Sequence, residues 1–253
     1  MTRARYAELH ALSNFTFLRG ASHPEELVEA AVALGYEALA ITDECTMSGI
    51  VRAHTAAKEH GLAKLIIGTE LQLQSGRKLV VLVQNRNGYA ALCELITKAR
   101  RAAEKGRYEL TRLAFENGLP GCVVLWVPDE HCDLDVEDQW IRETFRDRLW
   151  IAVELLADGR QARQLKQLQA LSRRLKLPLV ACGDVHMHRR SRRILQDTLT
   201  AIREGVTIDN AGFALYPNGE RHLRSLEVLQ HVYPAELLAE TVRIADTIDF
   251  SLD

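Results

Sequence analysis

Ala38-Leu39-Ala40-Ile41-Thr42-Asp43-Glu44 is an apolar run that ends in two acids, and the same pattern recurs along the chain. Leu65-Ile66-Ile67-Gly68-Thr69-Glu70 closes on a carboxylate, and a run over 179–182 leads into Gly183-Asp184-Val185-His186. Near the start, Tyr6-Ala7-Glu8-Leu9-His10-Ala11-Leu12 sets an acid and an imidazole two residues apart, a spacing that shares one face of a strand. A charged group directly after a run apolar enough to be buried needs a partner there. In a β/α barrel the C-terminal ends of the strands converge on one face, so residues far apart in sequence meet in one pocket. Carboxylates and imidazoles gathered in that way suit divalent metals and hydrolytic chemistry.

Working outward, strands are expected at 6–11, 38–42, 65–70, 79–84, 122–127, 149–155 and 179–182. They are apolar nearly throughout rather than alternating, the habit of parallel strands covered on both faces. Helical patterns lie between them. The first starts at Ser22 or His23 with Pro24 in its first turn and Glu25 completing a capping box, carries Leu27, Ala30, Ala31 and Leu34, and stops at Gly35. Others run from Ser48 to Gly61, over 89–103, and over 160–176, with two more from Ser225 and Pro234. The alternation predicts a single α/β domain over 1–253, built of βαβ units as a sheet or a barrel. Residues 128–138 read as an acidic surface excursion, and 206–253 as a looser C-terminal extension opened by Asn210-Ala211-Gly212 and Pro217-Asn218-Gly219. Ser251-Leu252-Asp253 carries no Gly, Pro or cap, which predicts that the natural chain continues.

Composition narrows the function classes. A chain of 253 residues, 47% hydrophobic and 26% charged, can bury a full core, and its formal net charge of -2 provides no global field toward nucleic acid or a membrane. Five cysteines without a C-x-x-C pair fit free thiols in a reducing compartment. Neither the apolar core of a signal peptide at Met1 nor an 18-residue apolar span is present, so a cytoplasmic location is expected, with no membrane partner.

Asp184-Val185-His186-Met187-His188 is the sharpest single segment, because an extended chain there lines Asp184, His186 and His188 along one face at ligand-like spacing. Arg189, Arg190, Arg192 and Arg193 follow at once. They fit a phosphate-contacting patch at the rim of the pocket, or the exposed start of a helix. Asp43 and Glu44 fit a metal pocket or the N-terminus of the following helix, whose dipole favours acids. No Gly-rich phosphate loop and no G-x-S-x-G elbow is present.

In order, these segments resemble the polymerase-and-histidinol-phosphatase (PHP) domain found at the N-terminus of bacterial C-family DNA polymerases. Members with an intact site carry an H-x-H, a D-G, a T-D-H, a G-x-E and a terminal D-x-H. Here the first three are His10-Ala11-Leu12, Arg19-Gly20 and Thr42-Asp43-Glu44, while Gly68-Thr69-Glu70 and Asp184-Val185-His186 are kept. The stretch from Ser13 to Leu27, with Leu223-Arg224-Ser225 and Tyr233-Pro234, is similar to the error-prone, damage-inducible branch of the family. The resemblance implies a distorted (β/α)7 barrel of PHP type, cut from a longer enzyme that transfers nucleotidyl groups with Mg2+ in a downstream palm. It implies a pocket of Glu8, His10, Arg19, Glu44, Glu70, Asp184 and His186 whose metal site is dismantled. No cofactor and no metal are expected in this domain; a residual ion would fall to His10, Glu70, Asp184 and His186. The implied partners are the rest of the polymerase chain, DNA, the sliding clamp and other mutagenesis proteins. The rival expectation is an active metal-dependent phosphoesterase or 3'-5' exonuclease of the same family. Arg19, a permanent cation with five donors, is expected to take the place of the ion, within hydrogen-bonding reach of one or more of Glu44, Glu70 and Asp184.

Overall fold

The computed structural model of the chain describes residues 5–128 and 138–253. Seven strands stand side by side in chain order: β1 (Ala7–Ala11), β2 (Ala38–Ile41), β3 (Leu65–Gln72), β4 (Lys78–Val83), β5 (Cys122–Val127), β6 (Leu149–Glu154) and β7 (Leu179–Cys182). Every apolar run read from the sequence is one of them. The helices are α1 (Pro24–Leu34), α2 (Ile50–His60), α3 (Arg86–Arg101), α4 (Asp138–Phe145), α5 (Gln161–Leu175), α6 (Arg193–Glu204), α7 (Leu226–Val232) and α8 (Ala235–Asp246). α4 and the body of α6 are absent from the sequence expectation. Most of the acidic excursion, with His131 and Cys132, lies outside the described residues.

The expectation of parallel strands throughout needs correction. β4 runs antiparallel to both β3 and β5, while the other neighbouring pairs are parallel. The cause is the loop from Leu73 to Arg77, which turns back through bonds from Leu73 N–H to the Arg77 carbonyl and from Gly76 N–H to the Leu73 carbonyl, each 2.8 Å. A loop that short makes a hairpin, since a parallel return needs a crossover of a dozen residues or more. The reversal has a consequence for the site: it brings Lys78, the first residue of β4, to the end of the barrel where the other strands finish.

The two faces of the strands feed two cores. Small and branched residues such as Ala7, Ala40, Ile66, Val80, Leu125 and Val180 fill the inside. The alternate residues, among them Leu39, Ile41, Val81, Val124 and Val153, pack beneath the amphipathic faces of the helices, including Leu27, Ala53, Leu92 and Leu168. The first helix is capped by Glu26, not Glu25, through a bond from His23 N–H to its carboxylate at 2.9 Å.

The sheet closes at the seam between β1 and β7 without a regular ladder. Near the mouth, Leu12 N–H donates to Val185 O (2.7 Å) and Val185 N–H to His10 O (3.0 Å). Midway, the Glu8 carboxylate accepts from the backbone N–H of Gly183 at 2.9 Å and of His10 at 3.0 Å, and from the Tyr6 hydroxyl at 2.9 Å. Position 183 has to be glycine, because a Cβ there would lie 2.3 Å from a Glu8 carboxylate oxygen. At the far end, Ala7 N–H donates to the Thr241 hydroxyl of α8 (3.1 Å). Residues 206–253, read as a looser extension, do open with two 3-10 turns, Ile208–Asn210 and Gly212–Ala214. They contain, however, α8, which plugs the barrel floor with Ile244 and Ala245, joined by Ile248 just beyond the helix. Lys64 donates from that floor to the carbonyls of Ala245 (2.8 Å) and Ile248 (2.9 Å).

Ile244→Ala tests the floor. The side chain is 1% exposed, so its loss should lower stability in urea unfolding by about 2–4 kcal/mol. A change below about 0.5 kcal/mol, the usual range for an exposed site, would remove α8 from the core.

Candidate functional site

Arg19 reaches the barrel mouth from a tight loop, not from a strand. Thr16 N–H donates to the Ser13 carbonyl (2.9 Å), and the N–H groups of Arg19 and Gly20 both donate to the Thr16 carbonyl (3.0 and 3.1 Å). Leu18 takes a left-handed conformation, φ 59°. Gly20 is required because a Cβ would sit 1.9 Å from the Ser13 carbonyl oxygen. Asp43 pins this loop: its carboxylate accepts from the Ser13 N–H, the Ser13 hydroxyl and the Thr16 hydroxyl, each at 2.7 Å. Burial pushes the Asp43 pKa up, against the pull of those bonds. Asp43 is therefore a loop anchor, and the residue after it, Glu44, faces the mouth.

The Arg19 guanidinium bridges two strands. Its Nη1 donates to Glu44 at 2.5 Å and to Glu70 at 2.6 Å, and its Nη2 lies 3.4 Å from the second Glu70 oxygen. The other Glu44 oxygen accepts from the Tyr108 hydroxyl (2.9 Å). Arg100 steadies the same corner by donating to the backbone carbonyls of Glu44 (3.0 Å) and Cys45 (3.1 Å). Glu70 also meets His10 Nε2 at 3.0 Å and the Lys78 ammonium at 3.5 Å. His10 Nδ1 meets Glu154 at 2.9 Å. Across the mouth, Asp184 binds His186 Nε2 at 3.0 Å and forms an ion pair with Arg221. Arg221 lies over the Tyr216 ring (4.4 Å), whose edge packs on His186 with centroids 5.2 Å apart.

Charge balance organises this cluster. Glu44, Glu70, Glu154 and Asp184 face Arg19, His10, Lys78 and Arg221. Burial alone would raise the Glu70 pKa, but Lys78, His10 and Arg19 outweigh it and hold it well below the carboxylate range. Glu154 is likewise lowered, with His10 overcoming burial. Burial pushes His10 down, yet both of its nitrogens face carboxylates, and together they raise it. With a carboxylate oxygen at 2.9 Å from Nδ1 and one at 3.0 Å from Nε2, the site favours the doubly protonated imidazolium. His186 is its opposite: burial and the neighbouring Arg19 lower it well below the usual value. The Gln196 amide nitrogen approaches His186 Nδ1 at 2.8 Å, leaving the proton on Nε2 facing Asp184. Burial lowers Arg221 to about 10, still cationic at neutral pH.

Of the residues read from the sequence, His10, Arg19, Glu44 and Glu70 are in direct contact, and Asp184 stands 3.9 Å from His10 beside His186. Glu8 does not share their surroundings. The pairing register shifts between Glu8 and Ala11, so the two-residue spacing no longer puts Glu8 and His10 on one face, and Glu8 is taken up in the β1–β7 seam. His188 also departs from the expected line, with Nδ1 at 2.8 Å from the Ser22 hydroxyl. Asp184 has φ 43°, which breaks the extended geometry on which that alignment depended. Arg190 to Arg192 form a 3-10 turn leading into α6. Arg190 pairs with Glu220 (3.3 Å), Arg192 with Glu26, and Arg193 with Asp197 (3.5 Å), so three of the four arginines already face acids; Arg189 is exposed. Leu12 is fully buried.

Sequence reasoning missed Glu154, Lys78 and Arg221. Glu154 closes the apolar run Leu149-Trp150-Ile151-Ala152-Val153, the signal used for Glu70, and was legible. Lys78 required knowing that β4 is reversed. Arg221 lies in a segment that no periodicity ties to the barrel; its carbonyl accepts from the N–H groups of His186 (2.9 Å) and Met187 (3.2 Å).

A nearly closed seven-stranded α/β barrel with acids and histidines at its mouth is the class of fold that the described residues define. Solved structures of that shape include a proposed metal-dependent phosphoesterase from Bifidobacterium adolescentis (TM-score 0.53, 18% identity, 73% of this chain and 88% of that one). An amidohydrolase from Chromobacterium violaceum is similar (TM-score 0.51, 15% identity, 72% and 88%). Both show the fold alone. The chain belongs to the PHP domain family, which it matches over residues 8–159. It is 55% identical over 251 residues to an error-prone DNA polymerase of Methylococcus capsulatus, covering 99% of this chain and 24% of that protein. It is also 55% identical over 258 residues to one of Dechloromonas aromatica (100% and 25%), and 52% identical to one of Pseudomonas aeruginosa (98% and 24%). The chain thus spans about a quarter of the length of these relatives. Among the described residues, no helix is long and apolar enough to cross a membrane.

The two histidines should differ in nitrogen NMR at neutral pH. His10 should show two protonated ring nitrogens, and His186 one, on Nε2. The linkage follows from the directions. The raised His10 contributes stability that is complete below its unfolded value of about 6.5 and is lost as pH rises through its folded pKa. The lowered Glu70 and Glu154 contribute stability that is present above about 4.5 and lost in acid. A His10 that titrates like a solvent-exposed histidine would contradict the charge assignment.

Proposed function

We propose that this chain is the N-terminal PHP domain of an error-prone DNA polymerase, a cytoplasmic enzyme that copies past damaged templates during DNA repair and induced mutagenesis. Within it, the domain is a structural and interaction platform and not a phosphoesterase or 3'-5' exonuclease. Nucleotidyl transfer with Mg2+ belongs, on this reading, to the palm in the three-quarters of the relatives' length that this chain does not cover. The proposed partners are the rest of that chain, DNA, the sliding clamp and other mutagenesis proteins.

The observation that carries the reading is Arg19 wedged between Glu44 and Glu70. A metal ligand must offer a free lone pair, with carboxylates ionised and histidine neutral. His10, Glu154 and Asp184 come closest, with one ligand atom of each within 4.8 Å of the others. Both His10 nitrogens are committed to carboxylates, and Asp184 is committed to Arg221 and His186. The donor set therefore does not fit a resident divalent ion, and no hydrolytic step is derived through one. The rival phosphoesterase reading rests on the same three atoms and requires Arg221 and the His10 proton to leave.

Primer extension across a damaged template by the full-length protein tests the parent activity. The PHP part is tested by substitution in that protein: with palm activity blocked, hydrolysis of a phosphate ester or a DNA 3' end in added manganese or zinc should be absent. Arg19→Ala should destabilise the domain by roughly 3 kcal/mol, because buried Glu70 and half-buried Glu44 lose their shared cation. Arg19→Lys should recover only part of that, since a point charge cannot serve two carboxylates as the forked guanidinium does. A neutral Arg19→Ala, or metal-dependent hydrolysis that Glu154→Gln abolishes, would overturn the reading.

A further inference from the structure

α6 is an amphipathic helix turned inside out. The three residues it buries are Gln196, Thr200 and Ala201. Three of its four large apolar side chains are exposed, Ile194 at 77%, Ile202 at 58% and Leu195 at 38%, while Leu199 is half-buried. At about 100° per residue, these three fall within roughly 100° of the helix circumference, on the side away from Gln196 and Thr200, with the small buried Ala201 at the edge of that arc. In the chain that follows the helix, Val206, Ile208 and Phe213 are exposed as well, Phe213 wholly so. Six of the ten exposed large apolar side chains among the described residues fall within these twenty positions, and such a concentration marks an interaction site.

The buried side of the helix explains why it is held this way round. Gln196 donates to His186 Nδ1 at the barrel mouth, and the following turns carry Tyr216 onto Arg221. The polar face is occupied by the charged cluster, which leaves the apolar face to something else.

We propose that this face, Ile194, Leu195, Ile202, Val206, Ile208 and Phe213, is the surface on which the remainder of the same polypeptide docks, the part C-terminal to residue 253 in the full-length polymerase. The inference rests on the function proposed above. Relatives about 55% identical over the whole of this chain carry about three-quarters of their length outside it. A tethered occupant is present at high effective concentration without any external partner, so an apolar face on one domain is covered most readily by its own chain. A second copy and a separate partner protein are the competing occupants, and they differ from the tethered one in how protection depends on concentration and composition.

The experiment uses the full-length protein with Ile202→Cys or Phe213→Cys, and Glu59→Cys on α2 as an exposed control. Maleimide labelling is followed by peptide mass spectrometry, which separates each site from the native thiols. Both α6-region cysteines should label more slowly than the control, by roughly tenfold or more, at concentrations where the protein is monomeric, as for a position reached only through local opening. Ile202→Asp should restore fast labelling at Phe213→Cys. Labelling as fast as the control overturns the proposal. So does protection that grows with protein concentration, which assigns the face to a second copy, or protection that requires added sliding clamp, which assigns it to a partner. Primer extension on the same samples separates the two failures: inactive protein removes the polymerase reading, whereas active protein with an unprotected face removes only the docking surface.

Discussion

The barrel mouth is governed by one electrostatic constraint. Strand ends bring Glu44, Glu70, Glu154 and Asp184 into a pocket where they are largely shielded from water, and four unpaired carboxylates there would repel one another at a cost of several kcal/mol each. A divalent ion is one way to meet that constraint. Here it is met by side chains instead: Arg19 between Glu44 and Glu70, His10 between Glu70 and Glu154, Lys78 at Glu70, and Arg221 on Asp184. The compensation is distributed, so no single replacement accounts for it.

Several features far from the mouth serve that arrangement. Asp43 keeps the Ser13–Gly20 loop folded, and that loop aims Arg19. The short turn after β3 reverses β4 and thereby delivers Lys78. The β1–β7 seam is closed by the Glu8 carboxylate, with Arg224 and Tyr233 packed beside it; Arg224 donates to the Leu155 carbonyl (2.9 Å) and Tyr233 to the Cys182 carbonyl (2.7 Å). That closure fixes where His10 and Asp184 stand relative to each other. Glu8 and Arg224 thus contribute to the site without lining it.

Much of the architecture was legible in the sequence because buried strands are short, apolar and punctuated, as 38–42 and 65–70 are. The strand direction was not, since Leu79-Val80-Val81-Leu82-Val83 reads the same either way, and only the Gln74-Ser75-Gly76 turn hints at reversal. His10, Glu70 and Asp184 were readable as acids or imidazoles at strand ends, and Arg19 from its place in a family motif. Glu8 was misplaced because a single register shift in β1 defeats the rule that alternate residues share a face. Arg221 was missed because pairing between distant segments leaves no local pattern. α6 escaped for a related reason: its polar side is the buried one, so the usual reading of an apolar stripe as the core face fails.

The central claim is that side chains, not an ion, neutralise the acids at the mouth. Thermal unfolding of the protein in chelator and in saturating manganese or zinc tests it directly. A ligand that binds the folded state at a thousandfold over its dissociation constant adds about 4 kcal/mol. The account predicts the same Tm in all three conditions. A rise of several degrees with metal, reversed by chelator, would contradict it.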